Sequence, residues 1–162
     1  FFKQKTAYEI TYGDWSSDVC SSDREPGKRP FHTITPAMVT KGGKPWFTFG
    51  FMGGDMQPQG HVQVLVNLID FGMNVQAAGE APRVEHVGSA TPTGIPELEG
   101  GGIVRAEVGI PDEVVAELAR RGHRVDRVKV NGGGYQGILI NPATGMLHGG
   151  SEARKDGAAV GY

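Results

Sequence analysis

Two adjacent glycines and an acid, Gly53-Gly54-Asp55, stand between a β-rich run and a helical one. Paired glycines in that position let backbone N–H groups turn outward, where they can hold an anion or the oxyanion of an acyl-transfer intermediate near a helix N-terminus. A tight structural turn uses the same residues, so spacing alone leaves both readings open. A second cluster, Phe31-His32-Thr33-Ile34-Thr35-Pro36, groups a histidine with two hydroxyls. It suits the binding of a polar substrate and equally suits turn capping, the usual use of Ser and Thr near proline.

Other clusters point away from chemistry. Asn131-Gly132-Gly133-Gly134 lacks the G-x-G-x-x-G pattern and no helix follows it, which argues against a phosphate loop. Arg120, Arg121, Arg124, Arg127 and Lys129 have no aromatic residue among them, so they read as a solvated face rather than a nucleic-acid site. His61, His86, His123 and His148 show no ligand spacing, and Cys20 is the single cysteine. No protein metal site and no cofactor are expected.

The elements around these clusters follow from periodicity. Ala37–Lys41 and Pro45–Gly50 are β-rich runs joined by Gly42-Gly43, a hairpin signal because both glycines tolerate positive φ. Over Gln59–Phe71, Val62, Leu65, Val66 and Ile69 recur at helical spacing, and Val64 and Leu68 widen the stripe. That width predicts a helix buried on most sides. Gly72 ends it, Asn74 caps a short helix over 75–81, and Pro82 stops that one. The stretch 87–102 reads as a loop and 103–108 as a strand. A helix over 111–121 opens on Pro111, Asp112 and Glu113 and closes at Gly122. Strands are predicted at 125–130, 137–140 and 146–148, the last two a hairpin around Asn141–Gly145, before a polar tail over 149–162. Regular βαβ alternation is missing, so an α/β (α+β) layered sandwich is expected rather than a Rossmann fold.

Composition bounds the class. The 162 residues include 26 Gly and 10 Pro, which fits a loop-rich domain, and the net charge of −2 offers no general attraction to nucleic acid or anionic lipid. No apolar run approaches the roughly 18 to 20 residues of a membrane-spanning helix. Residues 1–23 differ from the rest: they hold Cys20, five aromatics and no proline, and all but one glycine lie beyond them. Their string, FFKQKTAYEI followed later by DWSSDVCSSD, resembles translated sequencing-adapter read-through. They are set aside as a foreign segment, leaving 24–162 as the domain to be read.

From Gly27 onward the chain resembles the small subunit of the γ-glutamyltransferase (glutathione hydrolase) family of N-terminal-nucleophile hydrolases. The matching strings are GKRPFHTITPAMV (27–39), GKPWFTFGFMGGD (43–55), QVLVNLIDFGMNVQAAGEAPR (63–83) and GGSEARKDGAAVGY (149–162). The resemblance implies part of an αββα sandwich, a precursor that cuts itself into two subunits, and a threonine nucleophile whose own α-amino group is the base. It implies that Gly53 and Gly54 form the oxyanion hole and that His32 and Thr33 hold the substrate α-carboxylate. It also implies a heterodimer with the large subunit, in the periplasm or secreted, with a cytoplasmic location open. At His32-Thr33 the family has Ser-Ser, and at Met52–Asp55 it has Pro-Gly-Gly-Ser. These departures leave a cephalosporin or glutaryl acylase, or a catalytically dead binding homologue, as alternatives. Nothing before Arg24 resembles the family's Thr-Thr-His start. The chain is therefore expected to be the C-terminal part of the small subunit, inactive alone.

Overall fold

Alternation in the segment KPWFTFGFM explains the main sheet. The computed structural model describes residues 26–27, 34–88 and 101–161; these fall largely in the second of two units, Ile34–Tyr162, which alone is treated below. Strands β1 (Ala37–Lys41) and β2 (Lys44–Met52) form the expected hairpin. Gly42 and Gly43 turn it with φ of +59° and +76°, angles that a side chain would strain. Phe47, Phe49 and Phe51 are buried along one face of β2. Among the described residues the order of this antiparallel sheet is β1-β2-β6-β7, with β6 at Gly134–Ile140 and β7 at Leu147–Ser151.

Helix α1 (Met56–Ile69) covers the phenylalanine face. Its buried positions include Met56, Gly60, Val64 and Leu68, each four residues after the last. Val62, Val66 and Ile69 are exposed, so the helix is one-sided and the expectation of burial on most sides fails. The stripe is hidden because Met56 lies before Pro58, outside the predicted segment, and Gly60 has no apolar side chain to mark it. Gly60 is obligatory: a Cβ there would lie 2.5 Å from the Phe51 ring. The helix also begins before Pro58, which fits its first turn because a proline there forfeits no intrahelical bond.

Helix α2 (Val75–Glu80) is capped as predicted, with Asn74 Oδ1 accepting from the Ala77 N–H at 2.8 Å. It meets β6 where Gly79 leaves room for Tyr135, whose hydroxyl donates to Val75 O at 3.0 Å.

A second sheet has the order β3-β4-β5: β3 (Val84–Val87) antiparallel to β4 (Ile103–Glu107), and β4 parallel to β5 (Val125–Val128) through α3 (Asp112–Arg120). The order strand 103–108, helix 111–121, strand 125–130 is as expected, and the parallel pairing of β4 with β5 makes it a single βαβ unit rather than a regular alternation. Strand β3 has no counterpart among the expected elements, since its four residues are too few for alternation to show.

Side-chain amides join these layers. Gln59 accepts from His86 N–H at 2.7 Å and donates to His86 O at 3.0 Å, and Gln63 does the same with Val84 at 2.9 and 2.8 Å. Gln76 brackets Ser151 of β7 likewise, at 3.1 and 2.8 Å. Each glutamine stands in for a neighbouring strand at an otherwise open edge. The face of the main sheet opposite the helices carries Met38, Met52, Ile138 and Leu147, all exposed.

Candidate active site

Strand β2 ends at Met52, whose partner across the ladder is Gly134, and the chain then turns through Gly53 and Gly54 into α1. Their φ values are +123° and +57°, the first outside any region open to an L side chain. The turn directs its polar groups asymmetrically. Gly53 O accepts from Met56 N–H and Gly54 O from Gln57 N–H, both at 3.0 Å, which seats the helix. Among the described residues no backbone hydrogen bond takes up the N–H of either glycine, and both residues are exposed. The two N–H groups stand just ahead of the N-terminus of α1. Asp55 is the N-cap but makes no side-chain cap bond.

His32 and Thr33 lie outside the described residues. The same cluster is described from Ile34 onward, and Thr35 donates through its N–H and hydroxyl to Gln57 Oε1 at 3.2 and 2.7 Å. Because Gln57 N–H binds Gly54 O, this anchors the cluster's end at the first turn of α1, beside the glycines. Thr35 therefore serves structure, one of the two uses its sequence allowed. A cavity of about 200 Å³ lined by Trp46, Leu68, Val75 and Leu139 lies at the opposite end of β2. It contains neither glycine.

Behind the turn lies a buried ionic cluster that sequence reading missed. Arg83 pairs with Glu152, and Arg154 reaches Glu107 with Nε on Oε1 at 3.1 Å and Nη2 on Oε2. Arg154 Nη1 also lies 3.3 Å from Glu152 Oε2. Glu107 accepts from the N–H groups of Arg83 and Asn131 at 2.9 and 2.8 Å. Asn131 Nδ2 donates to the carbonyls of Arg83 and Arg105, each at 3.0 Å. The Arg83 guanidinium also stacks over the Phe51 ring at 4.5 Å. Arg83 comes from the A-P-R string, and Glu152 and Arg154 from the S-E-A-R string. The strings were visible, but their partners 24 to 75 residues away were not.

Burial pulls the Arg83 guanidinium down to about 10, assisted by the charge of Arg154 and opposed by Glu107. Burial would raise the Glu107 carboxyl, but the hydrogen bonds from Arg154, Asn131 and Arg83 together outweigh it and hold the group below its usual 4.5. A carboxyl lowered in the fold contributes stability that is complete above its unfolded value and is lost as pH falls through the folded value. The Glu107 contribution to the urea midpoint should therefore stay level from neutral pH down to near 4.5 and be lost below it. Glu107→Gln should blunt that loss; an identical acid limb in the variant would contradict the assignment.

The decisive observation is the match of residues 11–162 to the family model described as Gamma-glutamyltranspeptidase. The chain belongs to the gamma-glutamyltranspeptidase family. The match begins inside the segment 1–23. Among curated gamma-glutamyltranspeptidase relatives, a glutathione hydrolase-like proenzyme of Bacillus subtilis is 38% identical over 143 residues, covering 85% of this chain and 25% of the relative. Among solved structures, cephalosporin acylase from Bacillus halodurans matches with a TM-score of 0.65 and 43% identity, covering 86% of this chain and 25% of that one. The gamma-glutamyltranspeptidase of Helicobacter pylori matches with a TM-score of 0.63 and 27% identity, covering 82% and 66%. The chain spans about a quarter of the length of the curated relatives it matches. The fold is thus part of the αββα sandwich of N-terminal-nucleophile hydrolases.

Proposed function

We propose that this chain is the C-terminal part of the small subunit of an amide-cleaving N-terminal-nucleophile enzyme acting on γ-glutamyl compounds such as glutathione. The observation that carries the reading is the pair of N–H groups at Gly53 and Gly54, which meet no backbone acceptor among the described residues while the carbonyls of the same residues are engaged. A threonine elsewhere in the precursor would attack the amide carbonyl, its hydroxyl proton passing to its own α-amino group. The carbonyl oxygen gains the negative charge and is met by the two N–H groups. Collapse breaks the C–N bond, the amine leaves with the proton, and water or a second amine then releases the acyl group. His32 and Thr33 would hold the substrate carboxylate. The large subunit of the same precursor would be the partner, which agrees with curated relatives being proenzymes.

One observation favours a second reading. Identity to the Bacillus halodurans cephalosporin acylase exceeds that to the Helicobacter pylori gamma-glutamyltranspeptidase. An acyl group lacking the α-amino substituent, such as glutaryl, is therefore the competing substrate class. The test is to express the completed precursor and assay γ-glutamyl and glutaryl anilides side by side. Self-cleavage into two chains with turnover of the γ-glutamyl anilide is expected. Turnover of the glutaryl compound alone would establish the second reading, and an intact precursor that turns over neither would make the protein a binding homologue.

A further inference from the structure

The hydrogen-bonded ladder between β2 and β6 stops at Met52 and Gly134, one residue short of the oxyanion turn. What fixes Gly53 beyond that point is contact with a second glycine turn, Asn131–Gly134. A Cβ on Gly53 would stand 2.7 Å from Gly133 Cα and 3.0 Å from Gly133 N. A Cβ on Gly133 would stand 2.4 Å from Cε1 of Phe51 and 2.8 Å from Met52 O, and Gly133 has φ +99°. Backbone therefore lies directly on backbone, with no side chain possible on either side. Gly132 differs: nothing lies within 4 Å of its Cβ direction and its φ is not in the positive range. The second turn is itself held rigidly by Asn131, 4% exposed, through its bonds to Glu107, Arg83 and Arg105.

We propose that Gly133 is a positioning residue for amide cleavage: by close backbone contact with Gly53 it sets the direction of the Gly53 N–H. Catalytic donors act through placement, and a shift of about 1 Å in a reacting group can cost roughly a hundredfold in rate. A turn that served only to start β6 would need no contact with Gly53 at all. The inference rests on the oxyanion reading of Gly53 and Gly54.

The experiment uses the completed, self-processed enzyme and reads kcat and KM per folded molecule. Gly133→Ala is expected to lower kcat by roughly ten- to a hundredfold with KM nearly unchanged, and Gly132→Ala to match the parent. Asn131→Ser loosens the same turn without adding bulk against Gly53; it should lower kcat in the same direction, and it decides the matter if Gly133→Ala does not fold. Variants that lose thermal stability while folded molecules keep parental kcat would overturn the proposal. An amide-to-ester replacement that removes the Gly54 N–H separates the two levels. If it lowers kcat while the Gly133 and Asn131 variants do not, positioning alone is wrong; if it leaves kcat unchanged, the oxyanion reading itself falls.

Discussion

Arg154→Ala is expected to abolish cooperative unfolding of the 162-residue chain or to remove most of its stability. The side chain forks onto Glu107, contacts Glu152, and donates to the carbonyls of Gly79 and Ala81 at 3.3 and 3.2 Å. It thereby ties the C-terminal tail to the end of α2 and to β4. The Glu107 and Glu152 side chains are 5% and 0% exposed. Removing the arginine would leave two buried carboxylates facing Arg83 alone. Breaking a buried ion pair in this one-sided way costs about 3 to 5 kcal/mol, against a total of roughly 5 to 15 kcal/mol for a domain. Arg154→Lys should rescue only part of this, because an ammonium cannot make the forked contact. Arg121→Ala is the control: its pair with Glu117 lies on the exposed face of α3, and its loss should leave the unfolding midpoint unmoved. Urea unfolding followed by circular dichroism measures all three. A loss below about 1 kcal/mol for Arg154→Ala, the range of a surface pair, would show that the cluster does not hold the fold.

The second large effect concerns the two glycines, which should respond unequally to alanine. Gly54 has φ +57° and open space around its Cβ direction, so alanine there costs about 1 to 2 kcal/mol of backbone strain and keeps the N–H in place. Gly53 has φ +123° and Gly133 at 2.7 Å, so alanine must displace the turn and misdirect its donor. Loss of one oxyanion donor typically costs about 2.7 to 4 kcal/mol, roughly a hundred- to a thousandfold in kcat. In the completed enzyme Gly53→Ala should therefore lose that much kcat per processed molecule, and Gly54→Ala far less. Equal losses at both positions would mean that the turn needs glycine only for its dihedrals. Proline at 54 is a poor probe, since its ring fixes φ near −65° and would destroy the turn as well as remove the N–H.

What could be read from sequence was whatever a local pattern encodes. Gly42-Gly43 announced the first hairpin, Asn74 the cap of α2, and Pro111 with Gly122 the bounds of α3. The Gly53-Gly54 turn was legible because strand, glycines and helix follow one another directly. Strand β3 was not, because its anchor is two glutamine amides on α1 rather than an alternating pattern of its own. The one-sidedness of α1 was hidden by Gly60, a core position whose apolar group belongs to Phe51. The ionic cluster escaped for another reason: Arg83, Glu107, Asn131, Glu152 and Arg154 meet only through tertiary structure, and no spacing rule joins them. The role of Gly133 was hidden in the same way, as its turn was weighed only as a phosphate loop.

On the proposed function, the N–H groups of Gly53 and Gly54 receive the oxyanion of an amide-cleaving enzyme. The most direct measurement is a crystal structure of the completed, processed protein carrying a boronate or phosphonate adduct on its nucleophile, which fixes a tetrahedral oxygen in place of the developing charge. That oxygen is expected about 2.7 to 3.1 Å from both the Gly53 and the Gly54 nitrogen. An adduct whose oxygen is held by other donors, with neither glycine nitrogen within hydrogen-bond distance of it, would show that the oxyanion site lies elsewhere.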